Sequence, residues 1–90
     1  MKVISYDIRD DKLRARFSRM LTKLGAIRLQ LSVYEVRNTN RLIDNLMLKI
    51  DAYAKHFSPE DSVVIFDVDS DKLIKYGNAI HRDKPIVFFD

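Results

Sequence analysis

The spacing of apolar residues changes between strand-like and helix-like periods along this chain, and the order of those changes limits the folds that it can adopt. Residues 2–8 are rich in β-forming side chains, so a first strand is predicted there. A helix follows, because apolar residues recur along one helical face at Leu13, Phe17, Met20, Leu21 and Leu24. The carboxylates of Asp10 and Asp11 suit the start of that helix, and Gly25 suits its end.

Three further segments have strand-like patterns. Residues 26–36 alternate in polarity, with Glu35 on the apolar side, and they either bend or bulge near residues 30–32 or split into two short strands. Residues 62–68 contain a nearly continuous apolar run, which predicts a strand buried on both faces. A last short strand is predicted over residues 85–89.

A second helix is predicted between these strands. Asn38 or Thr39 can cap it, and residues 58–59, Ser-Pro, end it. Its predicted buried face consists of Ile43, Leu46, Met47, Ile50, Tyr53, Ala54 and Phe57. A short helix is also predicted over residues 69–76, before Gly77.

The resulting order, β-α-β(β)-α-β plus a C-terminal strand, predicts an α/β fold of the ferredoxin-like, split βαβ type. One sheet with two helices on one face buries all of these apolar stripes. Residues 1–90 are expected to form a single domain, because single domains span about 50 to 250 residues. A domain this small buries a limited core, so we expect a homodimer, in which the C-terminal strand lies on its own sheet or crosses to the partner's.

Composition excludes several classes of function. The chain has no cysteine, so it has neither a thiol nucleophile nor disulfides, and this favours a reducing, cytoplasmic location. The first apolar run is too short for a signal peptide, and no apolar stretch approaches the ~20 residues of a membrane span. The sequence contains no glycine-rich phosphate-binding motif.

Positive charge is concentrated in the first third of the chain. The net charge is +3, but residues 1–28 carry eight Lys or Arg against three Asp, a net of +5. Four of these cations recur at helical spacing, and we call them the basic stripe: Lys12, Arg16, Arg19 and Lys23. Such a stripe suits contacts with nucleic-acid phosphates, although a solvated helix face has the same pattern.

Asp7 is the best candidate for chemistry, because it lies among apolar strand residues. A carboxylate there needs a metal ion or a cationic partner. Two alternatives remain open: Asp7 binds Mg²⁺, or it forms an ion pair with Arg9 or with an arginine of the helix. His56 and His81 lack neighbours at metal-ligand spacing, so neither is a strong candidate. Tyr6 and Tyr34 are more typical of packing residues than of base-stacking ones.

Several of these residues together resemble a known family. Tyr6-Asp7-Ile8 ends the first strand, Arg14 and Arg16 follow, Gly25 ends the helix, and Arg28, Gln30 and Ser32-Val33-Tyr34-Glu35 follow in the next strand region. This combination resembles the small universal CRISPR adaptation protein, the Cas-two (Cas2) family. The resemblance is densest over residues 1–36 and continues weakly through residues 61–64 and 76–77.

The resemblance implies a ferredoxin-like homodimer in which Asp7 of each protomer approaches the dimer axis, where family members can bind Mg²⁺. It implies metal-dependent endonuclease (endoribonuclease) activity on RNA or DNA. It also implies a scaffold between two dimers of the CRISPR integrase subunit (Cas-one) that holds double-stranded prespacer DNA. The positions that match the family's site pattern are Tyr6, Asp7, Arg14, Arg16, Arg28 and Tyr34.

Three functions therefore remain open. The first is an adaptation scaffold that binds duplex DNA without catalysis. The second is a Mg²⁺-dependent nuclease that uses Asp7. The third is a toxin-like ribonuclease related to the virulence-associated VapD proteins, which share the fold and the strand-end aspartate.

Overall fold

The helices and strands follow one another in the order that the apolar periods predict. The computed structural model describes residues 1–37 and 40–80. Its elements are β1 (Lys2–Asp7), α1 (Asp11–Lys23), β2 (Ile27–Gln30), β3 (Val33–Val36), α2 (Asn40–Ala54) and β4 (Ser62–Asp67), followed by two 3-10 turns, Ser70–Lys72 and Gly77–Ile80. The predicted caps at residues 38–39, the predicted strand at 85–89 and His81 lie outside the described residues.

The four strands form one antiparallel sheet in the order β2-β3-β1-β4. This order separates β1 from β2 and β3 from β4 by one strand each, which is the arrangement of a split βαβ fold. The predicted ferredoxin-like fold is confirmed. One face of the sheet packs against both helices, where Ile4 and Tyr34 join Phe17, Leu21 and Leu46 in the core.

The boundaries of α1 follow from local chemistry. Asp10 is the N-cap, and its carboxylate accepts a hydrogen bond from the Leu13 amide at 2.8 Å. At the other end Gly25 has a φ of +93°, which only glycine adopts without strain. The Ala26 amide donates to the Leu21 carbonyl at 3.0 Å, as in a Schellman motif. Both predicted ends of this helix are confirmed.

Residues 26–36 form two short strands joined by a turn at Leu31 and Ser32. The register also shifts between Arg28 and Gln30. The sequence pattern left open whether this segment bulges or divides into two strands, and the structure shows both features.

The prediction that β4 is buried on both faces was wrong. Val64 and Phe66 are 49% and 51% exposed, because β4 is an edge strand and only one of its faces meets the helices. We call the opposite face, which neither helix covers, the uncovered face; from β1 and β4 it carries Val3, Ser5, Asp7, Val64 and Phe66, of which Val3 is buried.

The buried side of α2 is narrower than predicted. Leu46 and Ile50 are buried, and Ile43, Tyr53 and Phe57 pack partly against the core. Met47 and Ala54 are exposed instead, because the sheet and α1 cover only the central strip of the helix. The predicted helix at 69–76 is likewise reduced to a 3-10 turn at Ser70–Lys72. Within residues 1–37 and 40–80, neither helix is long and apolar enough to cross a membrane.

Candidate nucleic-acid interface

The basic stripe lies on the solvent side of α1. Burial of Phe17, Met20 and Leu21 against the core fixes the rotation of this helix. All four cations of the stripe are consequently exposed. None of the four forms an ion pair with any residue in the described part of the chain. Their charges are therefore free to meet an external anion.

Packing of the two helices adds a fifth cation to this surface. Arg16, Arg19 and Lys23 line a shallow groove together with Lys49 and Tyr53 of α2. The Tyr53 hydroxyl donates to the Arg16 carbonyl at 3.4 Å and so joins the two helices. The sequence did not predict the role of Lys49. This residue is far from the stripe along the chain, and only the packing of α2 against α1 brings it near.

Arg14 points away from the stripe and holds the turn between β1 and α1. Its guanidinium donates to the carbonyls of Ile8 and Arg9 at 3.0 and 3.3 Å, and it pairs with Asp11 at 2.5 Å. A phosphate at Arg14 has to compete with these partners. Its predicted role in binding nucleic acid stays a prediction.

Arg28 has a similar internal role at the β2–β3 turn. Its side chain donates to the carbonyls of Gln30 and Leu31 at 3.4 and 3.3 Å. These bonds tie the Arg28 side chain to the backbone of the turn between β2 and β3. Arg14 and Arg28 therefore stabilise turns within the fold. In the part of the chain that the structure describes, the side chains of the basic stripe have no such role.

Tyr6 and Tyr34 support the site from the core. Their rings stack with centroids 6.1 Å apart, and Tyr6 also meets Phe17 edge-on at 4.9 Å. The Tyr34 hydroxyl lies 2.5 Å from the Ser18 hydroxyl. Burial raises the pKa of the Tyr6 hydroxyl, so it remains a neutral donor, here to the Leu31 carbonyl at 3.4 Å. Both rings are packing residues in this chain.

Asp7 ends β1 on the uncovered face, opposite Ser62. It is exposed and forms no ion pair or side-chain hydrogen bond with a described residue, so the predicted pairing with Arg9 or a helix arginine is not found. Its carboxylate suits Mg²⁺, which takes one or two carboxylates and keeps several waters. However, the described residues contain no cluster of three or more His or acidic side chains that could hold a metal ion. Asp7 therefore belongs to no such cluster within residues 1–37 and 40–80.

These features define a ferredoxin-like α/β domain with the basic stripe on α1 and the Asp7 carboxylate at the end of β1, neither of which has an ion-pair partner among the described residues. The family model for CRISPR associated protein Cas2 matches residues 1–75, and the chain belongs to that family. The crystal structure of a hypothetical protein, TT1823, from Thermus thermophilus is similar, with 30% sequence identity and a TM-score of 0.60 over 77% of this chain and 80% of that one. No curated protein matches the chain. The family assignment supports a CRISPR-associated function.

Proposed function

We propose that this chain is the scaffold subunit of CRISPR spacer acquisition, a homodimer that holds double-stranded prespacer DNA between dimers of the integrase subunit (Cas-one). The observation that carries the proposal is the basic stripe, four exposed cations without ion-pair partners on one helix. Membership of the Cas2 family favours this function over a VapD-like toxin ribonuclease.

The geometry of the stripe supports contact with the backbone of a duplex. Its first and last residues are eleven residues apart on α1, or about 16 Å at the ~1.5 Å rise of an α-helix. A B-form duplex carries about one phosphate charge per ~1.7 Å of its axis, so a stripe of this length faces several phosphates. Contacts of this kind position a duplex without reading its bases.

The uncovered face supports self-association. Val64 and Phe66 lie there at about half exposure each, beside the buried Val3. β4 is also an edge strand, and unpaired apolar edges favour pairing with another chain. We propose that a second copy of this chain covers this face.

The same face carries Asp7, and a symmetric pairing there brings two copies of this carboxylate together. Two adjacent carboxylates repel each other, and a shared Mg²⁺ removes that cost. We therefore propose Mg²⁺ as the cofactor of the dimer. Two carboxylates make a sparse site for hydrolysis, so we expect weak Mg²⁺-dependent cleavage of RNA or DNA at most.

A spacer-acquisition assay in cells separates the scaffold from the nuclease. We expect Asp7→Asn to retain acquisition and Lys12→Ala/Lys23→Ala to lose most of it, with Lys55→Ala as the matched loss of an exposed cation outside the stripe. Purification with a tagged integrase subunit checks that each variant still assembles. Acquisition that requires Asp7 but tolerates the stripe variant contradicts the proposal.

A further inference from the structure

A second, larger groove lies at one end of the helix pair, between the start of α1 and the end of α2. Its volume is about 670 Å³, within the ~300–1,000 Å³ range of small-molecule sites. We call it the terminal groove. Its lining includes Arg9, Arg16, Tyr53, His56, Asp10 and Asp61. Only Arg16 is shared with the basic stripe.

The two carboxylates of the terminal groove are already occupied by backbone amides. Asp10 accepts from the Leu13 amide at 2.8 Å as the cap of α1. Asp61 accepts from the Arg9 amide at 2.8 Å and from the Ser58 amide at 2.9 Å. These amide bonds lower the pKa of Asp61, which shows that its charge is stabilised from within the fold. The charge of Arg9 also contributes to this shift, but neither carboxylate forms an ion pair with Arg9 or Arg16 in the described part of the chain.

The basic side chains of the terminal groove are available. Arg16 and His56 are exposed and have no ion-pair partner among residues 1–37 and 40–80. Arg9 lies 3.8 Å from Glu60, and both of these side chains are about two-thirds exposed. Such a surface pair is weak and exchanges readily for a stronger anion. The groove thus brings several basic side chains to one surface, and the weak contact with Glu60 is the only ion pair that any of them forms among the described residues.

The Tyr53 side chain gives the groove an aromatic wall. Its ring meets Phe17 edge-on at a centroid distance of 5.6 Å, and its hydroxyl donates to the Arg16 carbonyl at 3.4 Å. The ring is therefore held in place beside the cations. An ordered aromatic ring next to basic groups suits a nucleotide, whose base can stack while its phosphate is bound.

We propose that the terminal groove binds the phosphate monoester of a nucleotide, with the phosphate held by Arg9, Arg16 and His56 and the nucleoside against Tyr53. A monoester fits these donors better than an internal phosphodiester, because it carries up to two charges and three strong acceptor oxygens. The same group occurs on a free mononucleotide and on a 5′-phosphorylated nucleic-acid end. The second source rests on the proposed DNA-binding function, whereas the first does not.

The test compares phosphorylated and unphosphorylated ligands on the full chain. One arm uses deoxyadenosine monophosphate against deoxyadenosine, and the other uses one short duplex with a 5′-phosphate or a 5′-hydroxyl. We expect about a tenfold preference for the phosphate in at least one arm, because charge-assisted hydrogen bonds are the strong ones. The arm that shows the preference identifies the source. Equal binding in both arms overturns the proposal without any mutation.

Variants then locate the site. Arg9→Ala/His56→Ala removes two exposed side chains of the groove and is expected to abolish the preference, while Lys55→Ala, an exposed cation beside His56 that does not line the groove, retains it. Lys12→Ala/Lys23→Ala is expected to weaken both duplexes equally and to leave their ratio unchanged. The mononucleotide arm therefore remains informative even if the stripe does not bind DNA. A preference that survives Arg9→Ala/His56→Ala overturns the assignment.

Discussion

Asp61 shows how one residue fixes two parts of the fold. Its carboxylate joins the amide of Arg9, at the entry to α1, to the amide of Ser58, before β4. Both turns consequently depend on a single charged acceptor. Asp7 is the opposite case, an exposed carboxylate that no described residue engages, so its value to the chain lies outside folding. These two acids lead to different predictions.

We expect the contribution of Asp61 to stability to depend on pH. Its pKa is lowered in the folded chain, so the stabilisation is present above the carboxyl pKa of the unfolded chain, about 3.9, and is lost as the pH falls through the folded value. Urea unfolding should show that Asp61→Ala is less stable than the wild type at pH 7, with a smaller difference at pH 3. Asp51→Ala, which removes an exposed acid of α2, serves as the control. An equal loss at both pH values contradicts this account.

For Asp7 we expect chemistry to be lost without a loss of stability in the absence of metal. In EDTA, Asp7→Ala should unfold at no lower a urea concentration than the wild type, because the carboxylate has no partner among the described residues. It should also abolish whatever weak Mg²⁺-dependent cleavage of RNA or DNA is measured against an EDTA control. Fast cleavage that survives Asp7→Ala would show that the active site lies elsewhere.

At the scale of elements, a buried acid ties the segment after β4 back to the sheet. Glu35 of β3 is 0% exposed and lies on the uncovered face, opposite Val3. Its carboxylate pairs with Arg37 at 2.6 Å and with Lys75 of the segment that follows β4. A carboxylate in this position needs both cations, because a buried charge without partners is costly. The ion pair between Lys75 and Glu35 therefore holds the segment after β4 against the sheet.

Removing Lys75 should cost more than removing a comparable surface lysine. We expect Lys75→Ala to lower the free energy of unfolding by about 1–3 kcal/mol, because it leaves a buried acceptor partly unsatisfied. Lys72→Ala, which removes an exposed pair with Asp69 at 3.5 Å, should cost less than about 1 kcal/mol. Denaturant unfolding of both variants makes the comparison, and equal costs would count against a structural role for the Glu35 pair.

The sequence predicts elements well where their signals are local. The cap at Asp10, the apolar stripe and Gly25 lie within one stretch of chain, so α1 was predicted at both ends. The exposed face of β4 was not, because its edge position depends on pairing with β1, far away in sequence. Lys49 and the terminal groove were missed for the same reason, since they exist only once α1 and α2 pack together.

The whole molecule has two sides with different chemistry. The helices present cations, and the uncovered face presents half-exposed apolar side chains beside Asp7. Self-association through the uncovered face leaves both copies of the basic stripe in solvent. The proposed homodimer and the proposed DNA contact are thus compatible within one assembly.

We expect the wild type to be a dimer by light scattering at micromolar concentration. Val64→Ser/Phe66→Ser should shift it toward the monomer, because these substitutions remove the apolar area of the uncovered face. Leu48→Ser changes an equally apolar side chain, 71% exposed on α2, and should leave the dimer intact. A wild-type monomer, or dissociation caused equally by both changes, would refute the assignment of this face.

The salt dependence of duplex DNA binding tests the central claim most directly. Each phosphate that the stripe neutralises should steepen the slope of log K against log salt concentration by about 0.9. We predict that the affinity of the wild type and of Lys55→Ala falls steeply with salt concentration. In Lys12→Ala/Lys23→Ala each stripe loses two phosphate contacts, so the slope of log K against log salt concentration should be shallower by about 1.8 per stripe. An affinity that does not depend on salt, or an unchanged slope in the stripe variant, would contradict the account.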